Sequence, residues 1–201
     1  MKKTTHIIKL TIIILVIFLL YSCNPIENES RSASILYVDS ITGLDIEGNE
    51  VNFIQSDVAV QSGDSEEVSV EADLATVTLG VRMIDPEPIM GSSQYNNVIV
   101  TRYVVTYTRA DGKNSEGVDV PYSFEGSVSS EIPVGSTQSL SIVVVREAAK
   151  LEPPLIDLRD GTGDVVLTVN AKIDFYGHDL ANRNVKATGY ISINFANYVN
   201  D

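Results

Sequence analysis

The sequence predicts an all-β domain, an antiparallel β-sandwich, set behind a short N-terminal processing signal. Three observations carry this. From Ile35 onward, apolar and polar residues alternate with period two in one segment after another, which lines each apolar set along one face of a strand. Gly, Pro and Asn clusters separate those segments at short intervals, as turns between strands require. No stretch sustains the 3.6-residue apolar period of an amphipathic helix.

Residues 1–22 read as the signal. Lys2, Lys3 and Lys9 make a positive start, and Leu10 to Leu20 is apolar apart from Thr11. As a helix that run would reach only about 16 Å, short of the roughly 30 Å bilayer core, so a secretory segment is expected rather than a permanent span. Leu20-Tyr21-Ser22-Cys23 follows. It resembles the lipobox of bacterial lipoproteins, with Leu20, Ser22 and Cys23 matching and Tyr21 at the variable position. The resemblance implies that Cys23 becomes the first mature residue, carrying a diacylglyceryl group on sulfur and an acyl chain on its amine. The membrane is then a partner through Cys23, since two or three chains anchor stably where one does not. The alternative is an ordinary secretory signal with a leftover cysteine. Asn24 stands where an Asp is associated with inner-membrane retention in enteric-type bacteria, so the resemblance favours the outer membrane and leaves the periplasmic or surface face open. Residues 23–34 are expected to be the lipidated cysteine and a polar tether, about 18 Å end to end as a coil.

The chain has 14 basic and 27 acidic residues, a formal charge of −13. The signal takes three lysines and no acids, which leaves 11 against 27, a charge of −16. Such a surface repels phosphate, so no nucleic-acid partner is expected. Cys23 is the only cysteine and His178 the only histidine after the signal. Clustered zinc ligands and a cysteine nucleophile are therefore missing, and a Ser-His-Asp arrangement would have to use His178. The expectation is a protein that is not an enzyme and needs no cofactor.

Residues 35–201 are expected to form the sandwich, as one domain or two packed subdomains. Ile35 to Ile41 is a first strand and Gly43 to Asn49 a turn. Val51 to Val60 is a second, interrupted strand. Ser62 to Glu67 is an acidic turn. Val68 to Ile84 alternates through Val77, Leu79, Val81 and Met83, until Pro86 and Pro88 stop it. Val98 to Arg109 is the clearest strand, with Ile99, Tyr103, Val105 and Tyr107 predicted on one face and Val98, Val100, Arg102, Val104, Thr106 and Thr108 on the other. Asp111-Gly112 is a turn pair. Val118 to Phe124, Gly126 to Ile132 and Ser139 to Arg146 are further strands, and Glu147 to Leu151 one helical turn ahead of Pro153-Pro154. Asp157 to Asp164 is a glycine-rich acidic loop. Val165 to Tyr176 and Val185 to Phe195 form a hairpin around a turn at Gly177 to Asn184.

Tyr103-Val104-Val105-Thr106-Tyr107 resembles the central strand of fibronectin type III and immunoglobulin-like domains. Ile132-Pro133-Val134-Gly135-Ser136-Thr137, running into Leu140 to Val144, resembles the corner that precedes a buried strand in that family. The chain has no tryptophan, and no tyrosine follows Thr137 where the fibronectin corner has one. The resemblance extends to envelope lipoproteins of unassigned function and implies no catalytic residues.

Candidate residues follow from chemistry. His178 beside Asp179 could be a carboxylate-oriented base, or a solvated turn residue. Asp157, Asp160 and Asp164 could offer oxygens to calcium, although EF-hand spacing is absent. Asp64, Glu66 and Glu67 read as a solvated loop. Tyr95, flanked by Gln94, Asn96 and Asn97, could stack on a sugar while the amides bond its hydroxyls, or fold back over the sheet edge. Arg102 and Arg109 could meet an acidic partner, or cover apolar surface with their stems. The expected function is a lipid-anchored binding or structural module of the bacterial cell envelope, with an envelope protein or polysaccharide as partner. The alternatives are a carbohydrate- or calcium-binding accessory lipoprotein and a hydrolase using His178 or paired carboxylates.

Overall fold

The computed structural model describes residues 31–61, 68–89, 91–159 and 166–198. The strands are β1 (Ser34–Leu44), β2 (Glu50–Val51), β3 (Phe53–Asp57), β4 (Val60–Gln61), β5 (Val68–Ser69), β6 (Asp73–Met83), β7 (Val98–Thr108), β8 (Phe124–Ile132), β9 (Thr137–Val145), β10 (Leu167–Asp179) and β11 (Asn184–Ala196). One sheet has the order β2-β1-β6-β9 and a second the order β3-β11-β10-β7-β8, while β4 and β5 pair apart. Among the described residues these strands pair antiparallel except β3 with β11. The alternation seen in sequence becomes the core. Ala75, Val77, Leu79 and Val81 of β6 are buried together with Leu167, Val169, Ala171, Ile173 and Phe175 of β10 and Ala187, Ile191, Ile193 and Phe195 of β11. These residues of both sheets belong to one hydrophobic cluster, an arrangement compatible with a β-sandwich. The Tyr107 hydroxyl crosses between the sheets and donates to the Val144 carbonyl at 2.6 Å. Among the described residues no helix is long and apolar enough to cross a membrane.

The structure corrects the sequence reading in five places. On β7 the buried residues are Val98 and Val100, then Tyr103, Val105 and Tyr107, so Ile99 does not share the tyrosines' face. Val100 pairs with Gly177 and Arg102 with Tyr176, which leaves Thr101 as an extra residue on β7. That bulge reverses the alternation halfway along the strand. The last hairpin is longer than expected, because β10 runs through His178 to Asp179 and the turn is confined to residues 180–183. The Asp179 carboxylate supplies that turn, accepting from the backbone N–H of Ala181 and of Arg183 at 3.0 and 2.9 Å. Asn182 takes a φ of 61° there, which asparagine tolerates better than most residues.

Val118 to Phe124 is not a strand. The backbone N–H groups of Val118, Asp119 and Val120 all donate to the Ser115 carbonyl, which closes a turn, and β8 begins only at Phe124. Asp157 lies in a second helical turn, Leu155–Arg159, after the expected one at Glu147–Lys150. The polar stretch is not all tether, since Ser32 and Ser34 are buried and β1 starts at Ser34. The Ser32 hydroxyl donates to the Asp179 carboxylate at 2.7 Å, tying the start of the domain to the last hairpin.

Candidate functional site

Side chains of β7, β10 and β11 that point away from the core cover the outer face of the five-stranded sheet. Their positions follow from register: Arg102 pairs with Tyr176 and Tyr176 with Lys186, so the three stand in one row across the strands. The guanidinium carbon of Arg102 lies 4.0 Å from the Tyr176 ring centroid, and Lys186 Nζ lies 5.0 Å from it. Each cation is within the range at which a ring quadrupole attracts charge. The row floors an open cleft of about 430 Å3 whose other lining residues include Thr101, His178 and Asn184.

Carboxylates set the geometry beneath the cations. Arg102 pairs with Glu125 at 3.1 Å. Lys172 and Lys186 both reach Asp174, at 3.0 and 3.1 Å, and Thr188 donates to its other oxygen at 2.6 Å. Desolvation pushes the Asp174 carboxyl up. The hydrogen bonds from Thr188, Lys172 and Lys186 outweigh it and hold the group below its ordinary value. Lys186 is correspondingly raised, first by its hydrogen bond to Asp174 and then by one to Tyr176. Asp174 therefore stays ionised and holds both ammonium groups in place. Further along the face, Tyr190 pairs with Lys172 and is 66% exposed. Tyr176 and Lys172 are four residues apart, about 13 Å along the strand.

Several donors remain open to a ligand. An arginine offers five N–H groups and a lysine three, and the pairs above engage only some of them. Arg102, Lys186 and Asn184 thus line a donor-rich cleft around an aromatic ring, suited to a carboxylate or sulfate on a sugar whose C–H face stacks on the ring, while the Thr101 hydroxyl donates to the Tyr176 carbonyl.

The other sequence candidates are dispersed. His178 joins the cleft, but it stands in β10 with its neighbour Asp179 turned to the opposite face of the strand. Asp179 spends its carboxylate on Ser32, Ala181 and Arg183, so the two do not form an oriented pair. Arg102 leaves Tyr103 and Tyr107, both buried, and stacks on Tyr176 instead. Arg109 grips Asp111 with two nitrogens, at 3.1 and 2.6 Å, at the end of its hairpin. Tyr95 is 68% exposed in the 3-10 turn Gln94–Asn96. Two of the amides beside it are engaged: Asn96 accepts from Ser93, and Asn97 donates to Glu131 and accepts from the Val134 N–H. Among the described residues no group of three or more His, Cys, Asp or Glu could hold a metal. Asp160 and Asp164, the acidic turn with Asp64, Glu66 and Glu67, and Cys23 lie outside the described residues.

A second polar cluster is internal. Lys150 is buried and donates to Asp73 at 3.0 Å and to the Asp57 carbonyl at 2.8 Å, while the Ser56 hydroxyl donates to the other Asp73 oxygen at 2.6 Å. Burial pushes the Asp73 carboxyl up, partly opposed by Lys150 and Ser56. Ser56 and Lys150 meet through Asp73 rather than each other, and Ser56 is fully buried. The cluster fastens the Glu147–Lys150 turn to β3 and β6.

Sequence reasoning missed Tyr176, Lys186, Lys172, Asp174 and Tyr190. Their signal was present as the polar half of the alternation in β10 and β11. No known protein-family model matches the chain, and no curated protein matches its sequence.

Proposed function

We propose that this chain is a lipid-anchored envelope lipoprotein whose domain captures an acidic polysaccharide on the outer face of the five-stranded sheet. One observation carries the reading: Tyr176 lies between the Arg102 and Lys186 cations at the floor of an open cleft, in a chain of net charge −13. Cations are scarce in this sequence, and two of them, Arg102 and Lys186, flank one aromatic ring, with Lys172 further along the same face. The exposed ring of Tyr190, about 13 Å along the face, offers a further stacking position and favours an extended chain over a lone anion. The lipobox-like Leu20-Tyr21-Ser22-Cys23 supports anchoring through Cys23, and Asn24 supports the outer membrane.

The fold supports a binding module of the immunoglobulin and fibronectin type III class. Taking β1, β6, β7, β8, β9, β10 and β11 as strands A, B, C, C′, E, F and G gives A-B-E in one sheet and G-F-C-C′ in the other. The face assigned to the ligand is then the outer face of G-F-C-C′. The role is non-enzymatic, with no cofactor.

Titration with a soluble polyuronate tests the reading. Binding is expected for the polyuronate and not for a neutral glucan, and it should weaken as salt rises, because exposed charges are screened. Arg102→Ala and Lys186→Ala should each cut affinity at least tenfold while the thermal transition stays cooperative. A polyuronate that fails to bind at low ionic strength, or that binds both variants as it binds the native chain, removes the proposal.

A further inference from the structure

The end of the domain where the chain enters is apolar in a way the core does not require. β6 ends at Met83 and is followed by Ile84, Pro86, Pro88 and Ile89. Ile84 is 57% exposed and Ile89 is 101% exposed. A cleft of about 650 Å3 opens between this loop and β1, lined by Ile35, Met83, Ile84, Pro86, Pro88 and Val134 among others. Arg82 lies in the same lining and supplies a cation beside the acidic residues Asp85 and Glu87 of the loop. Isolated exposed apolar residues are ordinary, but two isoleucines and two prolines on one projecting loop beside an apolar cleft are not.

The position of the loop names its occupant. The Ile84 N–H donates to the Ala33 carbonyl at 2.8 Å, so the loop starts where the chain joins the domain. Seven residues lie between Cys23 and Arg31, eight steps along the chain and a reach of at most about 29 Å fully extended. We propose that the Ile84–Ile89 loop seats in the interface of the lipid bilayer that holds Cys23, so that the domain contacts the membrane by this end. The inference rests on acylation of Cys23. Apolar side chains entering the acyl boundary gain by leaving water, and tethering makes that contact intramolecular. Arg82 lines the cleft at the phosphate level, where it offsets one of the two charges of Asp85 and Glu87. β1 and β6 then run up from the membrane.

The native chain contains no tryptophan, so a single one reports its own surroundings. The test uses the full lipidated protein in phosphatidylethanolamine–phosphatidylglycerol vesicles, with Ile89→Trp as probe and Leu74→Trp as reference. Leu74 is 50% exposed at the other end of β6, about 33 Å from Ile84 at the usual rise per residue. Emission from the Ile89 probe should move to shorter wavelength and lose most of its intensity when the lipids carry brominated acyl chains. Emission from the Leu74 probe should do neither. Protein that floats with the vesicles while the Ile89 probe emits as in water overturns the loop proposal and leaves the anchor standing. Protein that does not float overturns both.

Discussion

Asp174 illustrates how one carboxylate organises a binding surface. It holds Lys172, Lys186 and Thr188 at once and is nearly buried beneath them. Its folded-state value lies below the ordinary 3.8, so ionisation favours the folded state. That contribution is complete above the unfolded value and is lost as pH falls through the folded one. Asp174→Asn should cost about 1 kcal/mol at neutral pH, because the ammonium partners are half in solvent. The deficit should vanish in strong acid, where the native carboxylate is protonated too. Urea midpoints of the two proteins at pH 7 and at pH 2 check this; an equal deficit at both values would mean that charge is not what Asp174 contributes. Residue identity alone did not reveal this site. Arg102 and His178 stand out in the sequence, Arg102 for flanking Tyr103 and His178 as the lone histidine after the signal, yet the sequence pattern puts Arg102 beside Tyr103 and Tyr107 and His178 in a turn. Tyr176 and Lys186 drew no notice, because their meaning comes from facing each other across two strands.

At the scale of elements, period two made the inward faces of β6, β10 and β11 legible, since a half-buried strand must alternate. Register was not legible. Gly177 and Asn184 look like turn punctuation, but both sit in strands, and the turn is made by the Asp179 carboxylate and the left-handed backbone of Asn182. The bulge at Thr101 has no sequence mark at all, and it reverses every assignment before it on β7. Gly177 is its counterpart on β10. A Cβ there would collide with the Ile99 carbonyl oxygen, a backbone atom with little room to shift. Gly177→Ala should therefore destabilise the domain by about 1–3 kcal/mol and disturb the cleft, which Gly177 lines. Thermal melting and polyuronate affinity should fall together. A variant as stable as the native chain would show that the bulge is looser than its geometry implies.

For the whole molecule, sequence left one domain or two packed subdomains open. The buried residues of both sheets form one cluster, and Tyr107 links them by a hydrogen bond through it. The domain should unfold in one cooperative transition, with tyrosine fluorescence and far-ultraviolet circular dichroism giving the same midpoint in urea. Two separated midpoints would mean that the sheets hold independently. Fold class was readable because it depends on alternation and punctuation, which are local. The cleft was not, because it depends on which strands become neighbours.

The bond between Ser32 and Asp179 has a mechanical consequence. If the chain is fixed at Cys23 and a ligand is held over Tyr176, tension enters the domain at Arg31 and leaves through β10. Ser32 passes part of it directly to Asp179, three residues from Tyr176 on the same strand. The remainder runs along β1, whose pairs with β6 lie side by side and resist sliding together rather than opening one at a time. A domain strapped this way would yield abruptly, at a high force, instead of unravelling from its tethered end.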